Sequence, residues 1–259
     1  MEKLFSHATV MITGASSGFG EETARHFAKE GARLILLARR REMLEKLQRE
    51  LNDLHQTHTY LIEADIRDFP LIEEKVARLH SDFGMPDILI NNAGLVRGMD
   101  KLDQVNPEAW DEMIDTNIKG ILTATRLILP HMMEAKKGHI INVGSISGHG
   151  TYPGGGVYCA TKYAVRALTE TLRMELVATP IRVSLISPGM AETEFSIVRF
   201  YGDHKQANKV YEGIEALTAV DIAEAIVFMA SRPPHVNIAD IILYPKNQAS
   251  TTLIHRNAL

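Results

Sequence analysis

Tyr158 and Lys162 stand four residues apart in VYCATKYAVRALTETLRMEL, a stretch with helical periodicity, so both side chains fall on one face. A phenol, with its ordinary pKa near 10, is a poor base at neutral pH. A neighbouring ammonium favours the phenolate, and a positively charged ligand would favour it further. Reaching a pKa of about 7 takes about 4 kcal/mol of differential stabilisation, which two close cations in a water-shielded site can supply. Ser145 stands 13 residues before Tyr158. Its hydroxyl can donate to the same substrate oxygen and stabilise a developing alkoxide; Ser147 is a rival two residues on. The chemistry of such a set is proton transfer at an alcohol or carbonyl oxygen. A helical Tyr/Lys pair alone is usually a surface contact, so the rest of the chain must decide.

The elements that position these residues follow from hydrophobic periodicity. Short, near-continuous apolar runs at 8–13, 33–38, 59–64, 87–90, 139–144, 181–186 and 240–244 read as strands covered on both faces. Amphipathic helical patterns alternate with them at 21–30, 41–54, 70–83, 107–136, 157–177 and 220–231. Gly31 suits the C′ position of the first helix, and Asn106 with Pro107 opens the fourth. That fourth pattern is expected to bend or break at Pro130. Strict alternation predicts an α/β fold: one doubly wound Rossmann-type domain over 1–259, with a seven-stranded parallel sheet and helices on both faces. The alternation fails at about 188–213, an insert expected to cover a substrate. Ser145 then falls just past a strand, at the sheet edge where open α/β sheets bind ligands.

The first strand runs into TGASSGFG at 13–20. Gly14 permits a sharp turn, Gly18 lets the backbone approach a diphosphate, and Gly20 lets helix and strand pack closely. Free N–H groups at a helix start favour an anion there. Where dinucleotide domains place an acid on the adenosine ribose, this chain has Ala38 followed by Arg39, Arg40 and Arg41. Guanidinium groups suit a 2′-phosphate, so Arg39 and Arg40 predict NADP(H) over NAD(H), while Arg41 reads as a solvated helix start facing Glu42 and Glu45. A bound nicotinamide is then the second positive charge near Tyr158, and the reaction is hydride exchange between it and an alcohol or ketone carbon.

Four strings in order carry a resemblance along essentially the whole chain: TGASSGFG, NNAG at 91–94, Asn117 within DTNIKG, and Ser145 followed by Tyr158 and Lys162. The chain resembles the short-chain dehydrogenase/reductase family. The resemblance implies a cofactor site from Gly14, Ser16, Ser17, Gly18, Phe19, Gly20, Asp65, Ile66, Asn91, Ala93 and Gly94. Pro188, Gly189 and Thr193, within PGMAET, flank the nicotinamide. Tyr158 and Lys162 also touch the cofactor, and Asn117 binds a water linking Lys162 to solvent. Family members commonly assemble as homotetramers, with contacts expected through the helices at 107–136 and 157–177 and the last strand.

Within the family the chain is most similar to NADP-dependent 3-hydroxy acid dehydrogenases acting on serine and L-allo-threonine. INVGSISG at 141–148, YPGGGVYCATK at 152–162, PGMAETEFSIVRF at 188–200 and PPHVNIADIILYP at 233–245 carry that similarity. Gly156 departs from it, standing where that subgroup carries Asn. A 3-hydroxy acid needs a carboxylate partner: Arg199 in the insert and Arg97 after NNAG are candidates, each also readable as an ordinary salt bridge. Tyr152 is placed to wall the pocket or bond the ligand, and Phe195 and Phe200 to pack the cover. The same catalytic set would serve a broad NADPH-dependent carbonyl reductase. A non-catalytic NADP-sensing protein would have no need of Ser145, Tyr158 and Lys162 together.

Composition excludes other classes. The 259 residues carry 28 Lys+Arg against 32 Asp+Glu, with no basic excess for nucleic acid. One cysteine, Cys159, forbids an internal disulfide, and the 11 histidines show no ligand spacing, so no metal is expected. Cys159 itself reads as a buried small residue rather than a nucleophile. No secretory signal or membrane-length apolar run is evident, and the expectation is a soluble cytoplasmic protein.

Overall fold

A computed structural model describes residues 3–257. The seven strands are β1 (Thr9–Thr13), β2 (Arg33–Ala38), β3 (Thr59–Glu63), β4 (Ile88–Asn91), β5 (Gly138–Val143), β6 (Ile181–Pro188) and β7 (Asp240–Leu243). They pair in parallel in the order β3-β2-β1-β4-β5-β6-β7. The chain therefore winds outward from β1 in one direction and, from β4, in the other. The crevice between β1 and β4 is the switch point at which such sheets bind ligands.

Successive strand residues point to opposite faces, so each apolar run feeds two cores. Val10, Ile12, Leu34 and Leu36 pack with Phe27 of α1 (Gly18–Lys29), Leu47 of α2 (Arg41–His55) and Ile226 of α9 (Ala219–Ala230). Met11, Ile35, Leu89 and Val183 pack on the other face, against Ile72 of α3 (Phe69–Asp82) and Ile128 of α5 (Gly120–Ala135). α6 (Gly156–Glu175) packs against β6 and carries Tyr158 and Lys162. Among the described residues no helix is long and apolar enough to cross a membrane.

The fourth helical pattern breaks, but not at Pro130. α4 (Pro107–Ile114) passes into a π turn at Asp115–Lys119 before α5 begins. α5 runs through Pro130 to Ala135, holding Ile128 and Met132 in the core, and ends at Lys136 in the left-handed region. The π turn contains Asn117, whose side chain bonds Leu95 and Thr161. Asn106 caps α4 as expected, accepting from Glu108 N–H. The segment after β6 contains two short helices, α7 (Phe195–Arg199) and α8 (His204–Lys209), joined by irregular chain.

Candidate active site

β1 and β4 are locked at the switch point by two side chains. Thr13 Oγ1 accepts from the N–H groups of Asn92 and Ala93 at 3.0 Å each, and Asn92 Nδ2 donates to the carbonyls of Thr13 at 2.9 Å and Gly14 at 3.1 Å. The glycine turn is built against this lock. Gly14, at φ +68, would place a Cβ 2.9 Å from Ala93 Cα, and a Cβ on Gly20 would collide with the Gly14 carbonyl and Asn92 Nδ2. Ser17 begins α1 in an extended conformation with no side-chain cap. The N–H groups of the first turn thus keep their capacity for an anion, and Ser17, Gly18 and Phe19 line a cleft of about 990 Å³. A dinucleotide diphosphate fits that cradle.

Arg39, Arg40, Asp65 and Ile66 line the same cleft. Arg39 sits 3.7 Å from Asp65, and Arg67 holds the Asp65 carboxyl below the usual carboxylate range. Arg40 donates to Ser16 Oγ at 3.2 Å and to the Ser16 carbonyl at 3.1 Å, which orients its guanidinium toward the turn. Arg41 instead pairs with Glu45 at 2.7 Å on the helix surface.

The residues expected to transfer a proton line the same cleft. Ser145 leaves β5 in an extended conformation, and its Oγ accepts from Ser147 N–H at 3.1 Å. Ser145, Ser147, Tyr158 and Lys162 all line the cleft. Tyr158 and Lys162 are both buried. Lys162 Nζ donates to the Val143 carbonyl at 2.9 Å and lies 5.9 Å from the Tyr158 ring centroid. Burial lowers the Lys162 pKa to about 8. Burial, and then the nearby Tyr152, push the Tyr158 phenol up from its ordinary value, against opposing pulls from Ser145 and Arg199. The lowering of Tyr158 expected from the sequence is therefore absent from the protein's own charges. Lys162 keeps its charge and two further donors beyond its single bond to Val143.

Three expected cofactor or catalytic contacts lie beneath the cleft rather than on it. Gly20 acts through packing, as above. Asn91 is buried in the sheet, where Nδ2 donates to Asn142 Oδ1 at 2.8 Å and Thr125 Oγ1 at 3.2 Å. Asn117 accepts from Leu95 N–H and donates to the Leu95 carbonyl, both at 2.8 Å, and donates to Thr161 Oγ1 at 3.0 Å. Both amide hydrogens are engaged, which leaves the second lone pair of Oδ1 and the backbone carbonyl of Asn117 as the acceptors a water could use. Its reach comes from the π turn, and it fastens the chain leaving β4 to α6. Ala93, Gly94, Pro188, Gly189 and Thr193 do line the cleft, and Thr193 abuts Gly18.

The two candidate carboxylate partners separate. Arg97 forms a fork with Glu112 at 2.6 and 3.0 Å, donates to the Val198 carbonyl and sits under the Tyr201 ring. It does not line the cleft; its guanidinium is consumed in holding α7 onto α4. Arg199 lines the cleft, donating to the Gly98 carbonyl at 2.9 Å and to Tyr152 Oη at 3.3 Å. Phe195 packs on Tyr158 with ring centroids 5.8 Å apart.

Sequence reasoning missed the carboxyl-terminal contribution. Gln248 accepts from Met190 N–H at 2.8 Å, so the segment after β7 pins the loop after β6. Thr251 and Arg256 line the cleft beside it. The only signal available was position, since this segment follows the carboxyl end of a strand at the ligand-binding edge. Tyr211 in the insert was likewise missed; it donates to the Ala191 carbonyl at 2.9 Å and pairs with Ser196 at 2.6 Å.

Comparisons with known proteins agree with this layout. A family described as short chain dehydrogenase matches residues 8–200. An NADP-dependent 3-hydroxy acid dehydrogenase of Schizosaccharomyces pombe is 42% identical over 249 residues, covering 96% of each chain. A serine 3-dehydrogenase of Agrobacterium fabrum is 42% identical over 241 residues, covering 93% of this chain and 95% of that one. The solved closed form of a serine dehydrogenase complexed with NADP+ superposes with a TM-score of 0.90 at 43% identity, over 96% of this chain and all of that one (100%). With the match running from β1 into the insert, this chain belongs to the short chain dehydrogenase family.

Proposed function

We propose that this protein is an NADP(H)-dependent oxidoreductase that interconverts the hydroxyl and carbonyl forms of a small 3-hydroxy acid such as L-allo-threonine, serine or 3-hydroxypropionate. The observation that carries the reading is the convergence of Ser145, Tyr158, Lys162 and Arg199 on one cleft that begins at an open glycine turn. The names of the relatives point to the same substrates and cofactor.

When bound, NADP(H) accepts or supplies hydride at its nicotinamide ring. The glycine turn holds the diphosphate, and Arg39 and Arg40 hold the 2′-phosphate. Lys162, a buried ammonium with one carbonyl partner, holds the nicotinamide ribose hydroxyls and favours the ionised Tyr158. In oxidation Tyr158 removes the hydroxyl proton while Ser145 donates a hydrogen bond to the same oxygen; in reduction Tyr158 returns the proton. Arg199 pairs with the substrate carboxylate, its fork already fixed by Gly98 and Tyr152. The insert at 188–213 covers the substrate within the single catalytic domain, and Arg97 anchors that cover.

The proposal extends to a cytoplasmic homotetramer. Trp110, Ile114, Leu122 and Met133 on α4 and α5, and Tyr163 and Met174 on α6, are exposed apolar side chains suited to contacts between copies. Light scattering should return the mass of four chains.

Turnover of the three hydroxy acids with NADP+ and NAD+ tests the reading. Equal use of both cofactors removes the 2′-phosphate argument. Reduction of bulky ketones without oxidation of hydroxy acids replaces this function with a general carbonyl reductase.

A further inference from the structure

Arg40 already holds an anion. Glu194 Oε2 accepts from Arg40 Nη2 at 3.0 Å, from the start of the insert, 154 residues away in sequence. Both side chains are about half exposed and line the same cleft. Ser16, within the glycine turn, accepts from Nε through its hydroxyl and, alongside Glu194, from Nη2 through its carbonyl, so Arg40 is held against the phosphate cradle. Thr193, one residue before Glu194, rests against Gly18 of that turn. Glu194 is thus held beside the anion site by its own chain.

We propose that Glu194 is an internal competitor for Arg40 and so sets the strength of 2′-phosphate binding. The inference rests on the assignment of Arg40 to that phosphate. A carboxylate on Arg40 offers the anion that a phosphate would otherwise supply, and a phosphate entering the same fork must displace it. The opposing charge weakens binding of a 2′-phosphorylated ligand and leaves its unphosphorylated counterpart untouched. Because Glu194 stands at the N-cap of α7 within the insert, phosphate entry also removes one tie between the insert and the glycine turn. Cofactor selection and cover position then share one ion pair.

The test uses adenosine 2′,5′-bisphosphate and adenosine 5′-monophosphate as probes, titrated calorimetrically into wild type, Glu194→Gln, Arg40→Ala and the double variant. Neither probe carries a nicotinamide, so turnover does not enter. Glu194→Gln should bind the bisphosphate roughly two- to five-fold more tightly, the size of one exposed ion pair, with monophosphate affinity unchanged. In the Arg40→Ala background the same substitution should have no effect on either probe. Equal tightening for both probes, no tightening, or tightening that persists without Arg40 overturns the inference. If wild type binds the bisphosphate no better than the monophosphate, the NADP assignment falls and takes the inference with it. A wild-type preference that Glu194→Gln leaves unchanged sinks the inference alone.

Discussion

Asn117 closes on both backbone groups of Leu95, accepting from its N–H and donating to its carbonyl at 2.8 Å each. The pair fastens the π turn between α4 and α5 to the chain that has just left β4. Gly94 is drawn in beside it, so close that a Cβ there would meet Asn117 Oδ1 at 3.2 Å and Lys162 Nζ at 3.6 Å. A side chain in the middle of a helix thereby holds the floor on which the buried ammonium rests.

Asn117→Ala should destabilise the fold more than it alters chemistry. It orphans two buried backbone groups of Leu95, each worth about 1–3 kcal/mol. Denaturant unfolding should record a loss of several kcal/mol, and cofactor affinity should fall with it. A variant as stable as wild type would show that Leu95 finds other partners.

Tyr158→Phe removes the transferable proton and keeps the packing against Phe195. Turnover should drop about a thousandfold, within the usual range for general acid–base groups. NADPH binding, followed by fluorescence, should be retained. Residual activity near that of wild type would place the proton elsewhere.

Lys162→Met isolates the cost of burying the ammonium. The Lys162 pKa stands at about 8 in the folded protein against 10.5 for an ordinary lysine. The folded state therefore binds fewer protons than the unfolded chain between those values, and stability rises with pH across that window. Below pH about 8 the full penalty, on the order of 3 kcal/mol, applies. From pH 7 to about 9.5, wild type should gain about 2 kcal/mol relative to Lys162→Met in cofactor-free unfolding measurements. The comparison stops there because Tyr158, held above its usual value of 10, acts in the opposite sense at higher pH. A pH-independent difference would mean that the buried amine does not titrate in this range.

Arg199 and Arg97 should separate in kinetics. Arg199→Ala should raise KM for 3-hydroxy acids roughly ten- to a hundredfold, the loss of a charge-assisted pair. Neutral secondary alcohols should lose far less. Arg97→Ala leaves Glu112, whose carboxyl Arg97 holds below the usual range, without its partner and frees α7. It should lower Tm and impair every substrate alike. The reverse pattern would exchange their assignments.

Much of this was legible before any coordinates. Strand runs near 33–38 and 181–186 declare a sheet buried on both faces, because only such a sheet tolerates continuous apolar sequence. Tyr158 and Lys162 fall together because four residues on a helix always share a face. Gly20 was readable for the same local reason, since only its missing Cβ lets α1 cross Gly14.

What depends on side chains meeting from distant parts of the chain was decided only by tertiary structure. Nothing near Arg97 or Arg199 in sequence tells one from the other. Arg97 is taken by Glu112 and Val198, whereas Arg199 is turned by Gly98 and Tyr152 to line the cleft. Likewise, the π turn at Asn117, the Gln248 tie to Met190 and the Glu194 hold on Arg40 are long-range contacts. Periodicity is set by the geometry of one backbone segment. Which charge finds which partner, and whether a phenol is raised or lowered, is set by the electrostatics of groups that only folding brings within reach.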